Sequence, residues 1–487
     1  MFVLSVFILY LYSMIQSELD GFYTNIFKDK RINARANLFL SSLITNGSAI
    51  VNQSSFMHSE KIGSYRMLNN TKCGESELSQ ALYASCVGNI HGQHLLCIQD
   101  TTQVNYFSTK ERIKDLDANL GRIDSRAFGY LCHPMLVIDA DKNMPIGFCS
   151  VKLWNRKWEK PEKAYQAYRK LPIEEKESFR WISSVAESRK NLPDEAIITV
   201  IADREADIYE ALCSIPKDNT HLLIRSSSNR VTCHDNMLLL LDKMQGCEIK
   251  HTYDIEIKGN KSRKSRIARI DLRFTSVEIK RSTHLIGNYP DSVKMNCIYV
   301  IERTETVPDG EDPIEWRLYT THQIDTIEQA MQCVQWYRAR WYIEELFRVL
   351  KTDGLGIESS QLETGLALKR LMLFCLQAAL QIMIIKIAYD QKREDCPAQM
   401  AFTEKQIQFL KVLQPTLEGK TEKQKNPFFD SSLAWAAWII AKLGKWGGYT
   451  SQGSPGYITM KNGLDIFYIK HDAFLLACDV MKDVYKE

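Results

Sequence analysis

Two short apolar runs, each closed by an aspartate, place the tightest limit on what this chain can fold into. Leu95-Leu96-Cys97-Ile98 leads into Gln99-Asp100-Thr101-Thr102, and Ala196-Ile197-Ile198-Thr199-Val200-Ile201-Ala202 ends at Asp203. Apolar runs of this length, bounded by polar residues and the second rich in β-branched side chains, read as buried strands. Arg204-Glu205-Ala206-Asp207-Ile208-Tyr209 follows at once and is expected to start a helix. More strands are expected at Met135–Ile138 and Ile146–Trp154. Between His221 and Tyr319 short alternating runs such as Ile255–Lys258, Ile267–Phe274 and Cys297–Ile301 predict a β-rich insertion. After Leu366 the pattern turns helical, through Leu368–Tyr389 and Leu433–Leu443, with Lys420–Lys425 as a charged loop. Strands and helices together predict an α/β fold.

A second feature lies between the insertion and the helical region. Read as a helix at about 100° per residue, Tyr337, Arg340, Glu344 and Lys351 fall within roughly 60° of arc. Trp336, Leu346, Phe347 and Leu350 lie mainly on a separate arc, an apolar seam that leaves the polar stripe free. Such a stripe serves equally as a solvated face or as a ligand site.

At 487 residues and 45% apolar, the chain can bury two to four domain cores. A net charge of +3 does not by itself point to nucleic acid, so any basic surface is local. One local cluster is Lys28, Lys30, Arg31, Arg35, Lys61, Arg66 and Lys72, in a stretch that reads as a small helical module. A second is Lys258, Lys261, Arg263, Lys264, Arg266, Arg269 and Arg273. Each suits phosphate contact, and each also fits a solvated surface. The thirteen cysteines include no Cys-x-x-Cys pair, which argues against structural zinc and a disulfide framework and fits a reduced cytoplasmic setting. Phe2–Ile15 is apolar but shorter than the ~20 residues a bilayer requires. No Lys or Arg precedes it, so a buried helix or a displaced start is expected, and no membrane partner.

Carboxylates at two strand ends and on one helix are what a two-metal phosphoryl-transfer site needs. Oxygen ligands suit a hard cation such as Mg²⁺, and two such ions about 4 Å apart can activate a water or 3′-hydroxyl and stabilise the leaving oxygen. Acids at strand ends also cap helices, and 59 acidic residues make some trio inevitable. Asp100, Asp203 and Glu344 alone leave both alternatives open.

The spacing Tyr337-x-x-Arg340-x-x-x-Glu344, then six residues to Lys351, resembles the signature of the insertion-sequence-four (IS-four) family of DDE transposases. Asp203-Arg204-Glu205-Ala206-Asp207-Ile208 and Gln99-Asp100-Thr101-Thr102 resemble the family's other two catalytic blocks. The likeness runs from about Asn25 to the C-terminus, with Ser64-Tyr65-Arg66, Ala434-Trp435 and Ala441-Lys442-Leu443-Gly444 among its marks. It implies a ribonuclease-H-like catalytic core, as in retroviral integrases, over residues 74–390, interrupted by the β-strand insertion at about 231–312. It implies an N-terminal DNA-end-recognition domain over 1–73 and a helical C-terminal dimerisation domain over 391–487. Asp100, Asp203 and Glu344 would hold two Mg²⁺ ions, for which Mn²⁺ can substitute. The implied route is cut-and-paste: hydrolysis frees a 3′-hydroxyl, which forms a hairpin on the opposite strand; a second hydrolysis opens it, and the hydroxyl attacks target DNA.

The same resemblance implies that Tyr337, Arg340 and Lys351 contact phosphates beside the cleaved bond. It puts Trp316 where the family stacks a tryptophan on an extruded base. Read without it, Trp316 is a core aromatic. Arg225 falls at a family position close to DNA, and otherwise reads as a surface ion pair. The partners implied are double-stranded transposon ends and target DNA, bound by a homodimer in a cytoplasmic, nucleoid-associated setting. The chain departs from the family before about Asp20, where Phe2–Tyr10 replaces a polar helical segment. The competing function is a catalytically impaired, dimerising relative that inhibits transposition. Retention of all three acids favours catalysis.

Overall fold

Side-chain alternation along the first strand shows how the sheet is clothed. Leu96 and Ile98 enter one apolar core, Leu95 and Cys97 the other, so the strand is buried on both faces. The structure is a computed structural model that describes residues 22–55, 57–114, 119–124, 127–156, 171–233, 238–259 and 264–484. The apolar Phe2–Ile15 run, and Lys261 and Arg263 of the second basic cluster, lie outside the described residues.

One sheet joins β1 (His94–Gln99), β2 (Thr102–Asn105), β3 (Gly121–Arg122), β4 (Phe128–Asp139), β5 (Met144–Trp154), β6 (Ile197–Ala202), β7 (Thr220–Arg225), β8 (His251–Ile257), β9 (Arg266–Lys280), β10 (Ser292–Glu302) and β11 (Glu315–Thr320). β1 and β2 lie end to end along β4, separated only by Asp100 and Thr101. β5 pairs antiparallel with β4, β4 antiparallel with β1, and β1, β6 and β7 run parallel. This mixed pattern is compatible with a ribonuclease-H-like domain. β4 is buried at every position, as a central strand covered on both faces requires. The β-rich insertion is not a detached hairpin: β11, β10, β9 and β8 continue the same sheet, antiparallel, outward from β7.

Among the described residues the helices of ten or more residues are α1 (Lys30–Asn46), α2 (His58–Asn69), α3 (Glu75–Gly88), α4 (Arg180–Asn191), α5 (Ile327–Arg338), α6 (Trp341–Lys351), α7 (Gly365–Asp390), α8 (Glu404–Leu417), α9 (Leu433–Leu443) and α10 (Tyr457–Val484). α7 is apolar on all sides and long enough to cross a bilayer, yet 83% of its most apolar window is buried inside the protein. It packs against α1, α2, α3, α6, α9, α10 and β5, and so ties helices from both ends of the chain to the sheet.

Three expectations are corrected. The stripe is not on one helix, because the chain tightens at Ala339–Arg340 and splits it into α5 and α6. The amides of Arg340, Tyr342 and Ile343 bond to carbonyls three residues back, so the turn narrows while the backbone stays right-handed. The segment after Asp203 is a single 3-10 turn, Arg204–Ala206, followed by a separate short helix at Tyr209–Ser214. Asp207 breaks it: its buried carboxylate accepts the Ser227 and Ser228 amides and the Arg230 guanidinium, fixing the loop beyond β7 instead of extending a helix. Finally, two arginines of the second basic cluster are already paired with acids. Arg266 pairs with Glu302 and Glu311, and Arg269 with Asp254.

Candidate functional site at the ends of the parallel strands

The register of β1 on β6 brings the two aspartates together. Ile98 pairs with Ile201, and both chains then run two residues further to Asp100 and Asp203. Adjacent strands are about 4.8 Å apart, so two carboxylates emerge side by side from one edge of the sheet. Burial and the Asp203 charge push the Asp100 pKa up from its usual 3.8 to about 6, despite a hydrogen bond from the Thr101 amide (2.7 Å) and the nearby Arg340 guanidinium. Asp203, extended at φ −87° and ψ −165°, accepts the Glu205 amide at 2.9 Å.

Glu344 reaches this edge from α6. Arg340, at the narrowed turn, is the link: one guanidinium nitrogen bonds to Glu344, and another lies 3.5 Å from Asp100 Oδ2. The i, i+4 spacing survives the break between α5 and α6, which is why the Arg340–Glu344 pair forms.

Above the acids lies a cationic group. Tyr337 is buried, and among the described residues its hydroxyl has no hydrogen bond of good geometry, with the Arg340 guanidinium as its near neighbour. Burial pushes its pKa up to about 12, while the Arg340 and Arg225 charges act in the opposite sense. Arg225, at the end of β7, donates to the Glu315 carbonyl at 2.7 Å, and burial together with the like charges of Arg204 and Arg340 lowers its pKa. Two guanidiniums, those of Arg340 and Arg225, act on the Tyr337 hydroxyl, and such a group suits contact with an anion. Trp316, on β11, is half-buried and meets Tyr337 edge to face at 5.2 Å.

Lys351 stands apart. Its ammonium is 3.8 Å from Glu358, whose carboxylate also accepts the Asn105 amide at 2.9 Å. Burial lowers its pKa, which Glu358 partly offsets. Asp100, Asp203, Glu344, Tyr337, Arg340, Arg225 and Trp316 therefore form one connected cluster, and Lys351 flanks it further along α6.

Several participants escape a reading of the sequence. Thr101 and Glu205 stand beside the two aspartates, and the Thr101 hydroxyl bonds to buried His133 at 2.9 Å. Arg180 bonds to both Thr101 and Glu205. His133 and Arg180 carry no local signal, since only strand and helix packing brings them there.

The donor set suits a hard cation. Two carboxylate side chains with mutually unfavourable charge, one of them partly prevented from ionising, are stabilised by a positive ion between them. Among the described residues, however, no three His, Cys, Asp or Glu side chains already converge as a metal cage. Arg340 accounts for this, as its guanidinium spans Asp100 and Glu344.

Acids gathered at the ends of the parallel strands of a mixed α/β sheet, beside the Arg340 and Arg225 guanidiniums, have the chemistry that metal-dependent phosphoryl transfer requires. Residues 178–381 match the family model for the transposase DDE domain, which supports a DDE transposase and a transposase function. The match takes in Asp203, Arg225, Trp316, Tyr337, Arg340, Glu344 and Lys351, with Asp100 upstream of it.

Proposed function

We propose that this protein is an insertion-sequence transposase of the IS-four type, closest in its signature to the Tn-five transposase. The reading is a cut-and-paste enzyme that hydrolyses transposon ends, forms and opens hairpins, and joins the freed ends to target DNA. One observation carries it: the strand register that sets Asp100 beside Asp203, with Glu344 tied to the same edge through Arg340.

In this reading Asp100, Asp203 and Glu344 hold two Mg²⁺ ions, or Mn²⁺ in their place. Such ions supply an activated water or 3′-hydroxyl and stabilise the departing oxygen. The remaining work falls to the protein. Tyr337, Arg340 and Arg225 take the phosphates beside the scissile bond: the fork of each arginine suits two-point contact, and the Tyr337 hydroxyl gains an acceptor. Lys351 holds a flanking phosphate as a point charge. Trp316 leaves its edge contact with Tyr337 to stack on an extruded base.

Residues 1–73 read the end sequence, residues 391–487 pair two protomers, and the homodimer works on nucleoid DNA in the cytoplasm. Retention of all three carboxylates favours this enzyme over an impaired, inhibitory relative.

The test is a time course with purified protein, Mg²⁺ and duplexes carrying the inverted repeats that flank the gene. A nick with a 3′-hydroxyl, then a hairpin, then a blunt end is expected in that order. Nicking without any hairpin would refute the cut-and-paste route.

A further inference from the structure

We propose that Arg180 is a positioning residue that ties the Asp100 turn to the Asp203 turn and so sets the spacing of the two carboxylates. The proposal rests on the reading that both aspartates belong to one metal-dependent site. Arg180 opens α4, and its side chain is only 14% exposed. Its Nε donates to Thr101 Oγ1 at 2.9 Å, and its Nη2 to Glu205 Oε2 at 2.8 Å. A third contact, Nη1 to the Glu177 carbonyl at 3.2 Å, and stacking over the Trp181 ring at 4.9 Å hold the guanidinium plane. The residues that it grips are the ones whose amides bond to the aspartates: Thr101 N–H to Asp100 and Glu205 N–H to Asp203.

Behind Thr101 the side-chain hydrogen bonds continue into the sheet. The Gln99 amide nitrogen donates to the Trp181 carbonyl at 3.2 Å, so its oxygen faces His133 Nε2 at 3.1 Å and suits the tautomer that carries the proton there. Nδ1 is then bare and accepts the Thr101 hydroxyl at 2.9 Å, leaving the threonine oxygen free to accept from Arg180. Gln99 and His133 are fully buried, and their strands, β1 and β4, are paired with each other. Arg180 is therefore braced against the sheet on one side and spans to the Asp203 turn on the other. The register brings the two aspartates near each other, but both sit two residues beyond the last β1–β6 pair, so no ladder hydrogen bond ties their turns together while like charge drives the carboxylates apart. A planar guanidinium can hold two turns at once; a single ammonium is a point charge and cannot reproduce that fork.

The test compares wild type with Arg180→Lys, Thr101→Val, the Arg180→Lys/Thr101→Val double variant and Asp203→Asn, each as the full chain. Mn²⁺ binding is followed by calorimetry, end-DNA binding by mobility shift in Ca²⁺, and folding by thermal melting. Arg180→Lys and Thr101→Val are expected to weaken Mn²⁺ binding on the order of tenfold, as loss of an orienting partner does, with end-DNA affinity within about twofold of wild type. The double variant is expected to be no worse than Arg180→Lys alone, because both remove one link. Unchanged Mn²⁺ affinity in Arg180→Lys and Thr101→Val, with Asp203→Asn severely weakened, overturns the role of Arg180 alone. Unchanged affinity in all three, Asp203→Asn included, overturns the shared metal site and this proposal with it. Lower melting temperature without altered metal affinity marks Arg180 as merely structural and also overturns it.

Discussion

Asp100 should cost the metal-free protein stability, and removing its charge should return that stability in a pH-dependent way. Its pKa of about 6 against the usual 3.8 means that ionisation is roughly a hundredfold harder in the folded state, or ~3 kcal/mol. The sign follows from the raised value. Below pH 3.8 the group is neutral in both states and imposes no penalty. Between 3.8 and about 6 the unfolded chain ionises first and stability falls; above 6 the whole penalty is present. Asp100→Asn should thus stabilise the folded state by up to ~3 kcal/mol at pH 7.5 relative to its effect at pH 4. The side chain is only 20% exposed, so solvent screening removes little of this. The absolute gain will be smaller, because the asparagine amide faces Arg340, which lies 3.5 Å from the carboxylate oxygen it replaces. Comparing two pH values cancels that contact. Urea unfolding of both proteins in EDTA at pH 4, 5, 6 and 7.5 gives the difference directly. Equal differences at pH 4 and 7.5 would refute the reasoning, and added Mg²⁺ should stabilise wild type more than Asp100→Asn.

Arg340→Gln should raise the Mn²⁺ affinity of the DNA-free protein several-fold, since the guanidinium no longer competes for Asp100 and Glu344, while end cleavage falls; calorimetry showing weaker Mn²⁺ binding would contradict this. Trp316→Ala should slow hairpin formation at least about fivefold more than first-strand nicking, given roughly 1–3 kcal/mol per stacked base, and equal slowing in a gel time course would mark Trp316 as structural. His322 is stacked on His221 at 4.0 Å and bonds to Thr199, with His94 on the same hydroxyl and Asp141 acting on His94. Burial and its two histidine neighbours lower its pKa to about 3. The unfolded chain therefore takes up a proton near pH 6.5 that the folded chain refuses, and stability falls as pH drops from 6.5 towards 3. His322→Asn should flatten that fall in melts between pH 7 and 4.5, and an unchanged slope would contradict it.

The parts legible in the sequence are those fixed by local pattern. The strands ending at Asp100 and Asp203 announce themselves by apolar runs, and α7 by a long apolar stretch. The parts hidden from it depend on pairing across the sheet. Thr101 meets His133 and Arg180 at separations of 32 and 79 residues, and no local periodicity encodes such meetings. Arg266 and Arg269 of the second basic cluster read as free cations only until β9 is paired with β8 and β10, which bring Asp254 and Glu302 to Arg269 and Arg266. The break at Ala339–Arg340 involves no proline or glycine, so the helical period runs through it unmarked. The Arg340–Glu344 pair survives the break because a tightened turn preserves their spacing.

Asp100, Asp203 and Glu344 acting as one site is the central claim, and a single comparison tests it most directly. Mg²⁺-dependent nicking of the inverted-repeat ends should be measured for wild type, Asp100→Asn, Asp203→Asn and Glu344→Gln, with end binding measured in Ca²⁺ for each. The account predicts that every carboxylate variant loses nicking by at least about a thousandfold while binding ends within several-fold of wild type. Nicking that persists in any one of the three, with binding intact, would contradict it.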